Sequence, residues 1–108
     1  MQPITLLLVE DDARARRALA RDLGAYGLIH ACATLAEALA IPTADVDAAI
    51  IDVGLPDGSG FEVVGHLREQ VPELPILVLT GSIDTEPVAE AQRLGVDAAP
   101  CAAHFGEH

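Results

Sequence analysis

Short, unbroken apolar runs alternate along the chain with longer segments whose apolar positions recur at helical spacing. Ile4 to Val9 reads as a buried strand, and Asp12 can cap the helix that follows, with Ala15, Leu19 and Leu23 on one face. Arg14, Arg16, Arg17 and Arg21 fall mostly off that stripe, and Gly24 or Gly27 ends the helix. Leu28 to Ala33 is a weaker strand. Thr34 with Glu37 forms a capping box for a short Ala-rich helix that must stop near Pro42. Asp47 to Val53 is a third strand, with Ala48, Ala49, Ile50 and Ile51 in one apolar run. Ser59 with Glu62 is a second capping box, opening a helix to about Gln70 that points Phe61, Val64 and Leu67 inward. Ile76 to Leu79 is a fourth strand. Asp84 caps a further helix that tolerates Pro87 in its first turn and ends at Gly95. Val96 to His108 reads as a poor strand and a short tail.

Unbroken apolar runs mark strands covered on both faces, and their alternation with helices predicts a doubly wound, parallel α/β sheet with right-handed crossovers. Such sheets bind ligands beyond the carboxyl ends of their strands. No repeat, low-complexity tract or linker divides the 108 residues, so the reading is one domain over residues 1–108.

Composition narrows the functional classes. At 51% hydrophobic the chain can bury a core, and with 3% aromatics that core is aliphatic. The formal charge of −11 argues against binding of nucleic acid or an anionic membrane by this domain alone. Cys32 and Cys101 form no motif and read as two buried thiols in a reducing compartment. No apolar run approaches a membrane span and no export signal opens the chain, so the expectation is cytoplasmic.

Three strand ends carry polar groups: Glu10 and Asp11 after the first, Asp52 on the third and Thr80 after the fourth. In a parallel sheet these share one edge. Crowded carboxylates repel, and hard oxygen ligands open to solvent suit Mg²⁺. A carboxylate beside such a cation can attack a phosphoryl group to give an acyl phosphate. The Thr80 hydroxyl and the Gly81 backbone N–H are candidate donors to its equatorial oxygens. Each residue also has a plain structural reading. Acids ahead of a helix act as caps and dipole partners, a lone Asp turns the chain, and Thr80-Gly81 is an ordinary strand exit. Their arrival at corresponding strand ends is what favours chemistry.

The stretch Leu6-Leu7-Leu8-Val9-Glu10-Asp11-Asp12 resembles the first strand and acidic pair of two-component receiver domains. Ile50-Ile51-Asp52-Val53-Gly54-Leu55-Pro56-Asp57-Gly58-Ser59-Gly60 is similar to that family's phosphorylation strand and loop. Pro75 to Gly81 is similar to its switch strand, and Gly95-Val96-Asp97-Ala98 to the entry into strand five. The resemblance implies a flavodoxin-like five-stranded sheet of order 2-1-3-4-5. It makes Asp52 the phospho-acceptor, with Mg²⁺ held by Asp11, Asp52 and the Gly54 carbonyl and by Glu10 through water. Thr80 would follow the phosphoryl group. The implied partner is a sensor histidine kinase or histidine phosphotransfer protein, and the domain would act on itself rather than as an enzyme.

The C-terminal stretch departs from the family pattern. The aromatic switch position falls on Ala99, the phosphoryl-contacting lysine on Ala102 and the following proline on Ala103. His104 is the nearest cation candidate, and Pro100 is awkward inside an inner strand but acceptable at the start of an edge strand. The family's fifth helix is missing, which leaves apolar sheet surface for a homodimer, an effector domain or a rearranged terminus to cover, unless the chain is a fragment of something longer. Three functions follow: a working receiver, a pseudo-receiver that serves as an interaction module, or a small metal-dependent phosphohydrolase. The last lacks a general acid two residues after Asp52, where Gly54 stands.

Overall fold

The computed structural model of the chain describes residues 4–80 and 97–100, with Thr80 and the last stretch as backbone. The expected helix between Asp84 and Gly95, the tail past Pro100 and the question of a fifth helix lie outside the described residues. So do Gly81, Cys101, Ala102 and His104.

The long strands are β1 (Ile4–Val9), β2 (Gly27–Cys32), β3 (Ala48–Asp52), β6 (Ile76–Thr80) and β7 (Asp97–Pro100). Between β3 and β6 lies a small antiparallel hairpin of β4 (Gly54–Leu55) and β5 (Gly58–Ser59). The helices are α1 (Ala13–Leu23), α2 (Leu35–Leu39) and α3 (Gly60–Gln70), and Thr43–Asp45 adds a 3₁₀ turn. The five long strands are parallel and ordered β2-β1-β3-β6-β7. With the hairpin set aside, this is the expected 2-1-3-4-5 order. Pro100 ends an edge strand, where its missing N–H costs the ladder little.

Local chemistry starts and stops the helices as anticipated. Asp12 accepts from the Ala15 N–H at 2.8 Å, and Gly24 is the C-cap of α1. Ser59 and Glu62 form a reciprocal capping box on α3. At α2 the Thr34 hydroxyl accepts from the Glu37 N–H, but the Glu37 carboxylate reaches the Ala33 N–H rather than that of Thr34. The helix is therefore clasped one residue further out than a capping box requires.

The main core lies between the sheet and α2 and α3. Leu7, Val9, Ile51 and Val78 from the strands meet Val63, Val64 and Leu67 from α3 there. Val64 and Leu67 are buried as expected, Phe61 packs half-buried against this core, and Val63 joins them. Among the described residues cover is thinner on the α1 side, where Ala15 is buried but Leu19 and Leu23 are half-buried. Among the described residues an open apolar groove of about 560 Å³ runs there, lined by Ile4, Leu6, Leu23, Tyr26, Ile50 and Leu77 among others. No helix among the described residues is long and apolar enough to cross a membrane.

Candidate functional site

Sheet register brings the acids together. Val9 pairs with Ile51 and Asp52 with Leu79, so Glu10 comes level with Asp52 and Thr80 lies one residue beyond. Backbone bonds continue past the strands: the Glu10 N–H reaches the Cys32 carbonyl at 3.0 Å, and the Val53 N–H reaches that of Leu79 at 3.1 Å. Ligand oxygens of Glu10, Asp11 and Asp52 all lie within 4.8 Å of one another. Glu10 and Asp52 are 2% and 8% exposed, whereas Asp11 faces solvent. The cluster thus has two buried members and one open to solvent.

Burial sets the electrostatics. It pushes the Glu10 carboxyl up to about 8, helped by a hydrogen bond to Asp52 and by the charges of Asp52, Asp11 and Asp12. Asp52 is also raised, first by its own burial, while hydrogen bonds from Glu10 and from the Gly54 N–H pull it back down. The Glu10–Asp52 bond raises Glu10 and lowers Asp52, a direction that favours the proton on Glu10 and the negative charge on Asp52. This suits a nucleophile. Asp52 Oδ1 accepts from the Gly54 N–H at 3.3 Å, which aims the carboxylate.

Close packing holds the acceptor's backbone. The Gly60 N–H donates to the Val53 carbonyl at 2.8 Å, and a Cβ at position 60 would overlap the carbonyl of Asp52. Only glycine lets α3 begin so near the acceptor.

Of the residues singled out from the sequence, Glu10, Asp11, Asp52 and Gly54 converge. Thr80 ends β6 beside them, as described by its backbone. Two contributors were not anticipated. The Arg16 guanidinium donates to the carbonyls of Glu10 at 2.9 Å and Asp11 at 3.3 Å, steadying the acidic turn from α1. Its placement one helical turn past the Asp12 cap was the available signal. Asp57, at the tip of the β4–β5 hairpin, accepts from the N–H groups of Leu35 and Ala36. Cys32 is a free, buried thiol, and burial raises its pKa.

Residues 6–99 match the response regulator receiver domain. The chain belongs to this family. Its relatives include the DNA-binding transcriptional activator DevR/DosR of Mycobacterium tuberculosis, 36% identical over 82% of this chain and 42% of the relative. The two-component response regulator PhoP of Pseudomonas aeruginosa is 37% identical over 85% of this chain and 42% of the relative. This receiver domain thus spans less than half the length of these curated relatives. Among solved structures, the non-phosphorylated HemR receiver domain of Leptospira biflexa superposes with a TM-score of 0.85 at 27% identity. It covers 96% of this chain and 86% of that one.

Proposed function

We propose that this receiver domain takes a phosphoryl group from a phosphohistidine onto Asp52. The observation that carries the reading is the convergence of Glu10, Asp11 and Asp52 within 4.8 Å at the carboxyl edge of the sheet. Of the three, Asp52 combines burial, a carboxylate charge and an aiming N–H from Gly54.

In the transfer, an oxygen of Asp52 attacks phosphorus and the P–N bond to the donor imidazole breaks. The imidazole leaves with the electron pair and takes up a proton, and an acyl phosphate remains on Asp52. The donor is carried by a sensor histidine kinase or a phosphotransfer protein. Mg²⁺ fits the donor set, because clustered hard oxygens with one open side are its usual ligands. Asp11, Asp52 and the Gly54 carbonyl would hold it, with Glu10 acting through water. When bound, it neutralises charge on the phosphoryl oxygens. Thr80, the last residue of β6, and Gly81, the next in sequence, would be the candidate donors to the phosphoryl group's equatorial oxygens. The chemistry stays on the domain's own acceptor, which is phosphorylated as a signal in the cytoplasm and returned to the free carboxylate when water releases inorganic phosphate.

Labelling with acetyl phosphate and Mg²⁺ tests this. One phosphoryl group should be added, and Asp52→Asn should abolish it. Undiminished labelling of the Asn variant would overturn the assignment.

A further inference from the structure

The hairpin that follows Asp52 reaches across to a different helix. Asp57 Oδ1 accepts from the Leu35 N–H at 2.7 Å and Oδ2 from the Ala36 N–H at 3.1 Å. These two N–H groups hold the Asp57 carboxyl below its ordinary range although it is exposed. Beneath the bridge the fit is tight: a Cβ at position 58 would come 2.6 Å from Leu35 Cδ2 and 2.5 Å from Glu62 Oε2.

These bonds close a ring. Glu10 is tied by its N–H to the Cys32 carbonyl at the end of β2. The chain runs from there directly into α2, whose first N–H groups are held by Asp57. Asp57 sits on the hairpin that starts two residues after Asp52, and Asp52 is hydrogen-bonded back to Glu10. A five-residue helix such as α2 has little stability of its own, so its position depends on such ties.

We infer that Asp57 is a positioning residue for the Asp52 site, holding the Asp52–Gly54 segment opposite Glu10 and Asp11 by bridging the hairpin to the first turn of α2. This rests on the phosphoryl-acceptor reading above for its purpose, though the bridge itself is read from the hydrogen bonds. Thr34 provides the contrast, because it caps the same helix from within, its hydroxyl accepting from the Glu37 N–H.

The test compares the parent with Asp57→Ala, Asp57→Asn and Thr34→Ala in three measurements: melting, Mg²⁺ titration by calorimetry and exchange of the Gly60 amide. Both alanine variants should melt lower. Asp57→Ala alone should weaken Mg²⁺ binding by about tenfold, the usual effect of losing a group that orients a metal ligand. It alone should also speed Gly60 exchange, since that N–H bonds to Val53 beside the acceptor. Asp57→Asn keeps an acceptor oxygen and should restore most of both. Equal effects of Asp57→Ala and Thr34→Ala on Mg²⁺ and on Gly60 would reduce Asp57 to a helix cap and overturn the inference. If the parent itself binds no Mg²⁺, the functional reading fails. The Gly60 amide then still decides: faster exchange in Asp57→Ala alone retains the bridge, and unchanged exchange removes it.

Discussion

Glu10 donates a hydrogen bond to Asp52 across the ends of β1 and β3, and both side chains are withdrawn from solvent. Without a cation, a shared proton is what lets two buried carboxyl groups sit together. The pair therefore stores a protonation state that any ligand of Asp52 must disturb.

The first consequence is for stability against pH. The Glu10 carboxyl is raised from 4.5 to about 8 on folding. A carboxyl raised in this sense favours the fold while protonated, fully so below its unfolded value. That contribution is lost as pH climbs through about 8. Asp57, shifted the other way, acts only at acid pH and leaves this window clear. Metal-free protein should lose several degrees of melting temperature between about pH 5 and about pH 9. A flat profile would mean that Glu10 is not the proton carrier.

Cation binding should expel that proton. Near neutrality Glu10 is mostly protonated, so Mg²⁺ affinity should rise with pH and binding should release close to one proton. Calorimetry in two buffers of different ionisation enthalpy measures the number directly. No buffer dependence would place the cation away from Glu10.

Asp11 is the solvent-facing member of the cluster, and its charge repels the other two when no cation is present. Asp11→Ala should start its thermal melt above the parent and lose the rise in melting temperature that Mg²⁺ gives the parent. A variant that still responds like the parent would move the cation elsewhere.

The two faces of the sheet should differ in sensitivity. Leu67 is buried in the main core, and Leu67→Ala should cost about 2–5 kcal/mol in chemical denaturation. Leu23 is half-buried beside the groove, and Leu23→Ala should cost less than half as much. Equal losses would show the α1 face to be as tightly covered as the other.

By the resemblance read from the sequence, Ala102 falls at the position of the family's phosphoryl-contacting lysine. Loss of one preorganised donor lowers rate by about a hundred- to a thousandfold, so phosphorylation should be slow rather than absent. Ala102→Lys should raise the rate of labelling by acetyl phosphate. If it does not, His104→Ala shows whether that histidine already serves.

Much of this was legible in advance, and the reasons are local. The apolar runs of β1, β3 and β6 and the caps at Asp12, Thr34 and Ser59 each depend on residues a few positions apart. The acid cluster was legible because parallel strands end on one edge, so the adjacent Glu10 and Asp11 and the distant Asp52 reduce to one place. The Asp57 bridge was not. It joins residues 21 and 22 apart through side-chain oxygens, and no period or cap motif encodes such a contact.

Gly60 gives the acceptor a neighbour that contributes no functional group yet cannot acquire one. Any side chain there would meet the carbonyl of Asp52. In a saturation-mutagenesis survey of signalling, position 60 would score among the least tolerant sites, beside the acidic residues themselves. Its intolerance would come from occupied space rather than lost chemistry. Drift of sequence around this loop is then confined to replacements that leave that volume empty.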